Sequence, residues 1–300
     1  MDVSVFSPAK LNLFLAVTGR RTDGFHDLVS LVSPLNFGDD LAVETKGQRP
    51  AAGGRFTLEC DHPEVPVDGS NLILRAAQAF AAAANWQGGA HFRLAKRIPV
   101  GAGLGGGSSN AAAALRALNR LTGGLLDEVQ LAAVAATLGS DCVLFLRDAP
   151  VVMRGRGERI AALPEPALVR LRGRRVLLFK PSFGISTPWA YQRMIARRDD
   201  YVAATEAEDR LAGWIGGGAP AEELLFNNME SAAFEKYVAL PLLLQRLHRE
   251  FGTAVAMSGS GSACFALVKE ENADAVVAGM KQVIRDCWGS VTFVQDTRLA

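Results

Sequence analysis

Residues 99–115 join a glycine-rich loop to an alanine-rich segment, in the order Pro-Val-Gly-Ala-Gly-Leu-Gly-Gly-Gly-Ser-Ser-Asn-Ala-Ala-Ala-Ala-Leu. Five glycines fall within seven consecutive positions, and a backbone without β-carbons can bring several N–H groups against one anion. The alanines favour a helix, and Ser108, Ser109 and Asn110 are favourable N-cap residues. A helix N-terminus also presents unpaired amides and a positive dipole end. The sequence therefore predicts a phosphate-binding loop before a helix over 109–121.

Three well-known classes of phosphate-binding loop are excluded by the residues that should accompany them. The spacing Gly101-x-Gly103-x-x-Gly106 is formally that of both the dinucleotide fingerprint and the protein-kinase glycine loop. A dinucleotide fold needs an acidic residue about 20 positions later at a strand end, but residues 125–131 have a helical pattern. A P-loop ends in Gly-Lys-Ser/Thr, and protein kinases carry a His-Arg-Asp motif; the sequence has neither. Either this is another class of phosphate site or a flexible turn.

The composition is that of an ordinary globular enzyme, with 49% hydrophobic and 21% charged residues. A length of 300 residues favours two domains, and the segment 154–157 marks the predicted change from a domain over 1–156 to one over 157–300. Lysines and arginines number 32 against 31 acidic residues, which leaves a net charge of +1. This balance lacks the broad positive field of nucleic-acid-binding proteins, so we expect no nucleic-acid partner.

The cysteines and the apolar segments indicate a cytoplasmic protein. Cys60, Cys142, Cys264 and Cys287 form no C-x-x-C pair and have no metal-ligand spacing with the histidines, so reduced thiols are expected. The first residues lack the basic region and apolar run of a signal peptide. No window approaches the roughly 18 apolar residues that would span a bilayer, so we expect no membrane partner.

Hydrophobic periodicity predicts a mixture of strands and helices. Strands are expected at 11–17, 28–37, 41–45, 56–60, 92–95, 151–157, 176–179, 254–257, 264–268 and 291–294. Helices are expected at 71–85, with Asn71 as N-cap, and at 109–121, 127–138, 188–196, 201–215, 222–237, 242–251 and 272–285. This order of elements indicates the α+β class.

Two more segments carry candidate functional residues. Pro8-Ala9-Lys10-Leu11-Asn12-Leu13 begins an early strand, and Met257-Ser258-Gly259-Ser260-Gly261-Ser262-Ala263-Cys264 lies between two predicted strands. By itself the second segment is also compatible with a flexible hairpin loop. Together with the glycine loop, however, the two segments resemble the three motifs of the GHMP kinase superfamily. The resemblance spans the chain.

The resemblance implies an ATP-dependent kinase of two domains. The N-terminal domain, 1–156, would be a nucleotide-binding domain like domain 2 of ribosomal protein S5. The C-terminal domain, 157–300, would be ferredoxin-like, with the active site between the two. Within the superfamily, residues 7–15, 21–26 and 96–99 look most like kinases that phosphorylate the 2-hydroxyl of a cytidine-diphosphate-linked methylerythritol in non-mevalonate isoprenoid synthesis. A homoserine or mevalonate type of kinase is one alternative, and an inactive nucleotide-binding regulator is another.

The family motifs imply two catalytic residues. Asp141 matches the family's Gly-Ala/Ser-Asp motif and would accept the alcohol proton. Lys10 would stabilise charge on the transferring phosphoryl group, because phosphoryl transfer mainly needs alignment and charge neutralisation. By residue type alone, a helix N-cap or a turn is the better interpretation of Asp141, and only its coincidence with the two other motifs favours a base. Lys10 is also compatible with an exposed charge at a strand end. The family usually continues Val-Pro after this aspartate, whereas this chain has Cys142-Val143.

The resemblance also implies the residues that bind the two ligands. The implied ATP-binding residues are Lys96, Pro99, Gly101, Gly103, Leu104, Gly105, Gly106, Gly107, Ser108 and Ser109. The implied substrate-binding residues are Asn12, Phe25, His26, Phe183, Thr187, Tyr191, Gly259, Ser260 and Gly261. Alternation along a strand puts Asn12 on the same face as Lys10, and core packing is an equal alternative for Phe183 and Tyr191. Mg²⁺ would bridge the ATP oxygens, with no carboxylate identifiable as its ligand. We expect a monomer or a weak homodimer.

Overall fold

The computed structural model describes residues 2–46, 54–290 and 292–300, with the backbone alone at residue 46. The chain forms two compact units. The first takes the described parts of Met1–Ala9, Phe37–Val100 and Gly105–Asp148, and the second takes those of Lys10–Asn36, Gly101–Leu104 and Ala149–Ala300. These units interleave along the chain and do not test the predicted division into consecutive modules, 1–156 and 157–300, which stays a prediction.

Strands and helices alternate irregularly along the described residues. The strands are β1 (Asp2–Arg20), β2 (His26–Lys46), β3 (Phe56–Cys60), β4 (Gly89–Ala95), β5 (Val151–Gly155), β6 (Arg159–Ala162), β7 (Arg175–Lys180), β8 (Phe226–Asn227), β9 (Ala254–Met257), β10 (Cys264–Val268) and β11 (Phe293–Arg298). The helices are α1 (Leu72–Ala83), α2 (Gly106–Leu121), α3 (Glu128–Leu138), α4 (Glu165–Leu171), α5 (Thr187–Ala196), α6 (Ala204–Gly216), α7 (Met229–Lys236), α8 (Ala239–Phe251) and α9 (Ala273–Trp288). Short 3₁₀ turns lie at Leu144–Leu146, Arg198–Asp200 and Ala221–Glu223.

The first unit packs helices against a sheet. In it, β4 pairs parallel with β3 and antiparallel with Asp40–Lys46 of β2. The apolar faces of α1 and α2 share a core with this sheet, which includes Phe80, Phe92 and Leu115, all fully buried. The predicted N-cap of α1 is confirmed, since the side chain of Asn71 accepts a hydrogen bond from the N–H of Ile73.

The second unit contains a four-stranded antiparallel sheet in the order β11-β7-β10-β9. Counted along the chain, its strands lie in the order fourth, first, third, second, with helices between β7 and β9 and between β10 and β11. This βαββαβ arrangement confirms the ferredoxin-like prediction for the C-terminal part. In the same unit β1 pairs parallel with β8, and β5 pairs antiparallel with both β2 and β6.

Two predicted strands, 28–37 and 41–45, are in fact one continuous strand, β2. The sequence Gly38-Asp39-Asp40 suggested a turn between them. A β-carbon on Gly38 would clash with the carbonyl oxygen of Ser7, so this glycine permits close approach of another backbone segment. The turn prediction was wrong because glycine serves close packing as well as turns.

Helix boundaries differ from prediction at several places. The predicted helix over 222–237 is divided into a 3₁₀ turn, the short strand β8 and helix α7, while β6 and α4 were not predicted. The first residue of the predicted strand 291–294 lies outside the described residues, and β11 begins at Phe293. No helix in the described part of the chain has the length and hydropathy that a bilayer-spanning segment needs.

Candidate active site

The glycine-rich loop leads directly into helix α2. Gly101, Gly103 and Gly105 have φ values of 63°, 77° and 71°, in the left-handed region that favours glycine. Gly105 is the N-cap of α2, and no side chain caps this end of the helix. Along the chain, the first-turn amides and the positive end of the helix dipole therefore directly follow a loop whose glycines have no β-carbons. This arrangement fits the phosphate groups of ATP.

Ser108, Ser109 and Asn110 do not cap α2, so that prediction was wrong. The helix begins earlier, at Gly106, and places all three residues inside its first turns. The Ser109 hydroxyl accepts a hydrogen bond from the Ser7 hydroxyl at 2.8 Å. Ser7 in turn accepts one from Asn110 Nδ2 at 2.8 Å. These bonds compete with capping, because they hold the side chains towards the protein interior.

A buried carboxylate, Asp39, organises the approach to the glycine loop. Its side chain is 0% exposed and that of Lys96 is 6% exposed, with Nζ 2.5 Å from Asp39 Oδ2. The carboxylate also accepts hydrogen bonds from Arg97 N and Ile98 N, each at 2.7 Å, and from Asn110 Nδ2 at 2.8 Å. A β-carbon on Gly106 would lie 2.9 Å from Lys96 Nζ, so this ammonium group lies against the start of α2.

Asp39 was not among the predicted site residues. No signal for it stands out in the sequence, because Gly38-Asp39-Asp40 has the pattern of a turn. Buried charges are paired or hydrogen-bonded in proteins, and only the fold shows that Asp39 is fully buried and Asp40 is not. Of the three remaining predicted ATP ligands, Gly107 lies in the first turn of α2, Pro99 is partly buried and Leu104 is buried. The Leu104 carbonyl accepts a hydrogen bond from Lys10 N.

Three sequence motifs meet within the second unit. Lys10 N donates to Leu104 O at 3.0 Å, and Asn12 N donates to the Ser258 hydroxyl at 3.3 Å. The Ser258 hydroxyl donates to Gly103 O at 3.3 Å. Residues 10–12, 101–104 and 258–263 are thus joined by hydrogen bonds although they are far apart in the chain. That the whole site lies between two domains stays a prediction.

Lys10 and Asn12 form a buried polar pair. Lys10 is 5% exposed, which excludes the alternative of an exposed charge at a strand end. Its Nζ donates to Asn12 Oδ1 at 2.5 Å, and Asn12 Nδ2 donates to the Ser30 hydroxyl at 2.9 Å. A β-carbon on Gly259 would lie 3.2 Å from Asn12 Oδ1 and 3.4 Å from Lys10 Nζ. The 258–262 loop therefore lies directly against this pair.

Asp141 lies in the turn that follows α3, within the first unit. The turn contacts the start of α2, since a β-carbon on Gly139 would lie 3.5 Å from Cys142 Sγ and 4.0 Å from Ser108 Oγ. Burial raises the pKa of the Cys142 thiol to about 11, against the opposing effect of a hydrogen bond with Ser108. The predicted base, Asp141, is therefore the chain neighbour of Cys142, which lies beside the first turn of α2.

The departure from the family pattern after Asp141 leaves the backbone compatible with proline. Val143 occupies the position where the family has proline, and its φ of −67° and ψ of −35° match the φ of about −65° that proline imposes. Val143 also precedes the 3₁₀ turn Leu144–Leu146, without a side-chain cap. The side chain of Asp141 is thus not the N-cap of that turn.

The aromatic candidates for substrate binding lie in the second unit with defined partners. The His26 ring stacks on Tyr191 with centroids 4.6 Å apart, and His26 Nε2 is 3.1 Å from the Tyr201 hydroxyl. Burial and the nearby Arg20 lower the pKa of His26, which favours the neutral ring. Phe25 is half exposed, with Arg156 5.0 Å from its ring centroid.

Phe183 and Thr187 lie near the 258–262 loop. The Phe183 ring is partly buried and stacks on Tyr237 with centroids 5.0 Å apart. The Phe183 carbonyl accepts a hydrogen bond from the Ser262 hydroxyl at 2.5 Å. The hydroxyls of Thr187 and Ser260 are 2.8 Å apart and share a hydrogen bond. Thr187 and Phe183 are therefore hydrogen-bonded to the loop that carries a third predicted substrate ligand, Ser260.

A partly buried carboxylate on α7, Glu230, holds Met257, the residue immediately before the same loop. Its Oε1 accepts a hydrogen bond from Met257 N at 2.7 Å. Burial raises the pKa of Glu230 to about 7, although the hydrogen bond from Met257 acts in the opposite direction. Glu230 also faces Cys264 on β10, and burial together with this carboxylate raises the pKa of that thiol. Glu230 was not among the predicted site residues.

The raised pKa of Glu230 has a measurable effect on stability. Between about pH 4.5 and pH 7 the folded state keeps a proton that the unfolded chain releases, so the free energy of unfolding falls as pH rises. Glu230→Gln removes this titration, and at about pH 8 the variant is expected to be more stable than the parent by up to about 3 kcal/mol. Urea denaturation at about pH 5 and pH 8 measures the free energy of unfolding of the parent and of Glu230→Gln. The same change with pH in both proteins would contradict the prediction.

Comparison with known proteins identifies the family. The model described as "GHMP kinases N terminal domain" matches residues 71–151, and "GHMP kinases C terminal" matches residues 215–286. A relative from Methylacidiphilum infernorum, a 4-diphosphocytidyl-2-C-methyl-D-erythritol kinase, is 38% identical over 277 residues, which are 90% of this chain and 88% of the relative. The chain belongs to the 4-diphosphocytidyl-2-C-methyl-D-erythritol kinase family.

Solved structures agree with membership of the 4-diphosphocytidyl-2-C-methyl-D-erythritol kinase family. A crystal structure of a 4-(cytidine 5'-diphospho)-2C-methyl-D-erythritol kinase has a TM-score of 0.75 at 34% identity, covering 99% of this chain and 100% of that one. A homoserine kinase from Cytophaga hutchinsonii has a TM-score of 0.69 at 17% identity, covering 99% and 95% of the two chains, and shares the fold alone. The resemblance to GHMP kinases, the α+β class and the dependence on ATP are confirmed. The individual residue roles stay predictions.

Proposed function

We propose that this enzyme transfers the γ-phosphoryl group of ATP to the 2-hydroxyl of 4-diphosphocytidyl-2-C-methyl-D-erythritol, in non-mevalonate isoprenoid synthesis. The observation that carries the proposal is the hydrogen-bonded meeting of residues 10–12, 101–104 and 258–263, in a chain 38% identical to a kinase named for this substrate. Phosphoryl transfer requires alignment and charge neutralisation more than covalent chemistry, and these segments bring an ammonium group, glycine amides and hydroxyls together.

The proposed roles follow from the chemistry of each group. Asp141 accepts the proton of the attacking hydroxyl as transfer proceeds. Lys10 neutralises negative charge on the moving phosphoryl group, and Asn12 holds the ammonium group of Lys10 in place through its Oδ1. The glycine-loop amides and the N-terminus of α2 bind the ATP phosphates. Lys96, charge-paired with Asp39, lies beside that N-terminus and holds the loop in position.

Mg²⁺ is proposed as the partner of ATP. Within residues 2–46, 54–290 and 292–300, no group of three or more His, Cys, Asp or Glu side chains is placed to hold a metal ion. A Mg²⁺ ion that takes most of its ligands from phosphate oxygens needs no such group. When bound, it neutralises charge on the β- and γ-phosphates. Ser108, in the first turn of α2, is the side chain that we propose contacts it.

We propose that the second unit recognises the cytidyl group. A neutral His26 has one ring N–H and one ring acceptor, which suits the hydrogen-bonding edge of cytosine. Tyr191 and Tyr201 hold its ring in place by stacking and by a hydrogen bond. Phe25 and Phe183 offer aromatic faces for the base. Thr187, Ser260 and the amides of Gly259 and Gly261 are proposed to bind the diphosphate and the sugar.

Loss of the Phe183 ring is expected to weaken binding of the cytidyl substrate. A stacked aromatic pair is worth about 0.5–1.5 kcal/mol, so Phe183→Ala is expected to raise the substrate KM by up to about tenfold. The KM for ATP is the internal control and is expected to stay unchanged. Steady-state kinetics with each substrate varied in turn measures both values. An unchanged KM for the cytidyl substrate would leave Phe183 as a packing residue against Tyr237.

A comparison of three substrates tests the proposed function. Purified enzyme with ATP and Mg²⁺ is assayed with the diphosphocytidyl substrate, with homoserine and with mevalonate. Turnover of the diphosphocytidyl substrate alone is expected. Turnover of homoserine or mevalonate instead would support the alternative kinase types. Nucleotide binding without any turnover would indicate an inactive regulator.

The cellular location, the oligomeric state and the absence of nucleic-acid binding are proposed from the sequence alone. We propose a cytoplasmic monomer or weak homodimer that does not bind nucleic acid, in line with the near-zero net charge. Sedimentation at several concentrations measures the oligomeric state.

A further inference from the structure

The segment formed by β8 and the first turn of α7 contacts the backbone of Met257 and of the 258–262 loop that follows it through two side chains. Asn227 is buried, and its Nδ2 donates to Met257 O and to Gly259 O, each at 2.8 Å. Its Oδ1 accepts from Met229 N at 3.0 Å, which fixes the orientation of the amide. Glu230 accepts from Met257 N at 2.7 Å. Both backbone groups of Met257 and the carbonyl of Gly259 are therefore held by these two side chains.

The residue that these bonds hold, Gly259, lies close to the proposed catalytic residue Lys10. Gly259 lies against Lys10 and Asn12, with a β-carbon position 3.4 Å from Lys10 Nζ and 3.2 Å from Asn12 Oδ1. A carbonyl that loses its donor in a buried place has to find another, and the backbone moves to do so. Movement of Gly259 changes the space above the Lys10 ammonium group, where a phosphate-bearing substrate would bind.

We propose that Asn227 and Glu230 are positioning residues, Asn227 by holding Gly259 directly and Glu230 by holding Met257 two residues earlier. Together they keep Gly259 against Lys10 and Asn12 and so set the affinity for the diphosphate-bearing alcohol substrate. The inference rests on the proposed function, since it assigns the 258–262 loop to that substrate. Neither residue is proposed to touch the substrate, and both act through the loop backbone. Neither is among the residues that sequence motifs assign to the site.

Asn228 is a matched control for a purely structural effect. Its side chain also makes three hydrogen bonds to the backbone: Nδ2 donates to Val17 O at 2.8 Å and to Asp200 O at 2.9 Å, and Oδ1 accepts from Val17 N at 2.9 Å. None of these partners belongs to the 258–262 loop. Asn227→Ala and Asn228→Ala therefore remove the same number of side-chain bonds from adjacent residues, with only the first change affecting the loop.

The test compares the steady-state kinetics and thermal stability of these variants. Both are expected to lower Tm, because each removes three hydrogen bonds to backbone groups that are buried or partly buried. Asn227→Ala is expected to raise the KM for the diphosphocytidyl substrate at least about tenfold, since one lost hydrogen bond to a buried group is enough for that change. Its KM for ATP, and both KM values of Asn228→Ala, are expected to stay within about twofold of the parent. Equal KM values for the diphosphocytidyl substrate in Asn227→Ala and Asn228→Ala would overturn the proposal.

Glu230 provides a second pair of variants. If Asn227→Ala does not fold, this pair tests the proposal instead. Glu230→Gln keeps an acceptor for Met257 N and is expected to retain the KM of the parent for the alcohol. Glu230→Ala removes the acceptor and is expected to raise that KM several-fold, about as one neutral hydrogen bond would. Equal KM values for Glu230→Gln and Glu230→Ala would also overturn the proposal. Absence of turnover by the parent enzyme would overturn the proposed function and this inference together, whereas parental turnover with an unaffected Asn227→Ala overturns the inference alone.

Discussion

Asp141→Asn is expected to lower kcat about a hundredfold or more while the fold is retained. Asparagine matches aspartate in size but has no carboxylate to accept the hydroxyl proton, and a positioned general base contributes about 10²–10⁴ in rate. Asp141 lies in a turn after α3 and is partly exposed, so the loss of its charge leaves no buried cavity. Steady-state kinetics with saturating ATP measures kcat, and circular dichroism measures the fold.

A surface aspartate of the same unit is the control for this change. Asp148 pairs with Arg116 and its side chain is 71% exposed, so Asp148→Asn is expected to leave kcat within about twofold. Lys10→Ala provides an independent test of the charge-stabilising role and is also expected to lower kcat about a hundredfold or more. Near-normal kcat in either Asp141→Asn or Lys10→Ala would refute the role assigned to that residue.

Asp39→Asn is expected to cause the largest loss of stability, about 3–5 kcal/mol in the free energy of unfolding. The substitution keeps the volume of the side chain, but it removes the carboxylate charge that pairs with the buried Lys96 ammonium group. It also turns an amide N–H group towards donors, because Arg97 N, Ile98 N and Asn110 Nδ2 all point at the carboxylate. Urea denaturation followed by fluorescence measures the change.

The adjacent residue is the matched control for Asp39. Asp40 pairs with Arg97 at the surface, where the two side chains are 40% and 56% exposed. Exposed ion pairs contribute about 0–1 kcal/mol, so Asp40→Asn is expected to change stability by no more than this. If both variants lost the same stability, the buried pair of Asp39 and Lys96 would contribute no more than a surface salt bridge.

Much of the candidate site could be predicted from the order of residues along the chain. The glycine loop is followed by a helix because glycine and alanine have opposite backbone preferences. Three of its glycines, Gly101, Gly103 and Gly105, adopt the left-handed backbone conformation that favours this residue. Lys10 and Asn12 were expected on one strand face, and they form a hydrogen bond there. The ferredoxin-like prediction for the C-terminal part, which came from the family resemblance, is also confirmed.

Where prediction was wrong, a distant segment changed the meaning of a local signal. Gly38 looked like a turn residue, but the backbone of Ser7 packs against it. Ser109 and Asn110 looked like helix caps, but they bond to Ser7, more than 100 positions away in the chain. A cap is a local preference worth about 1 kcal/mol, which a buried hydrogen-bond network can outweigh.

Short stretches of sequence determine the α+β class, the glycine loop and the three kinase motifs. Backbone preferences act over such stretches, so the sequence alone predicts these features. It does not predict the supporting residues. Asp39 meets Lys96 across 57 positions, and Asn227 meets Gly259 across 32. Their importance comes from burial and from hydrogen bonds that form when distant segments are packed together. Chain folding alone places those partners, because no local pattern states which carbonyl or ammonium group a buried side chain will face.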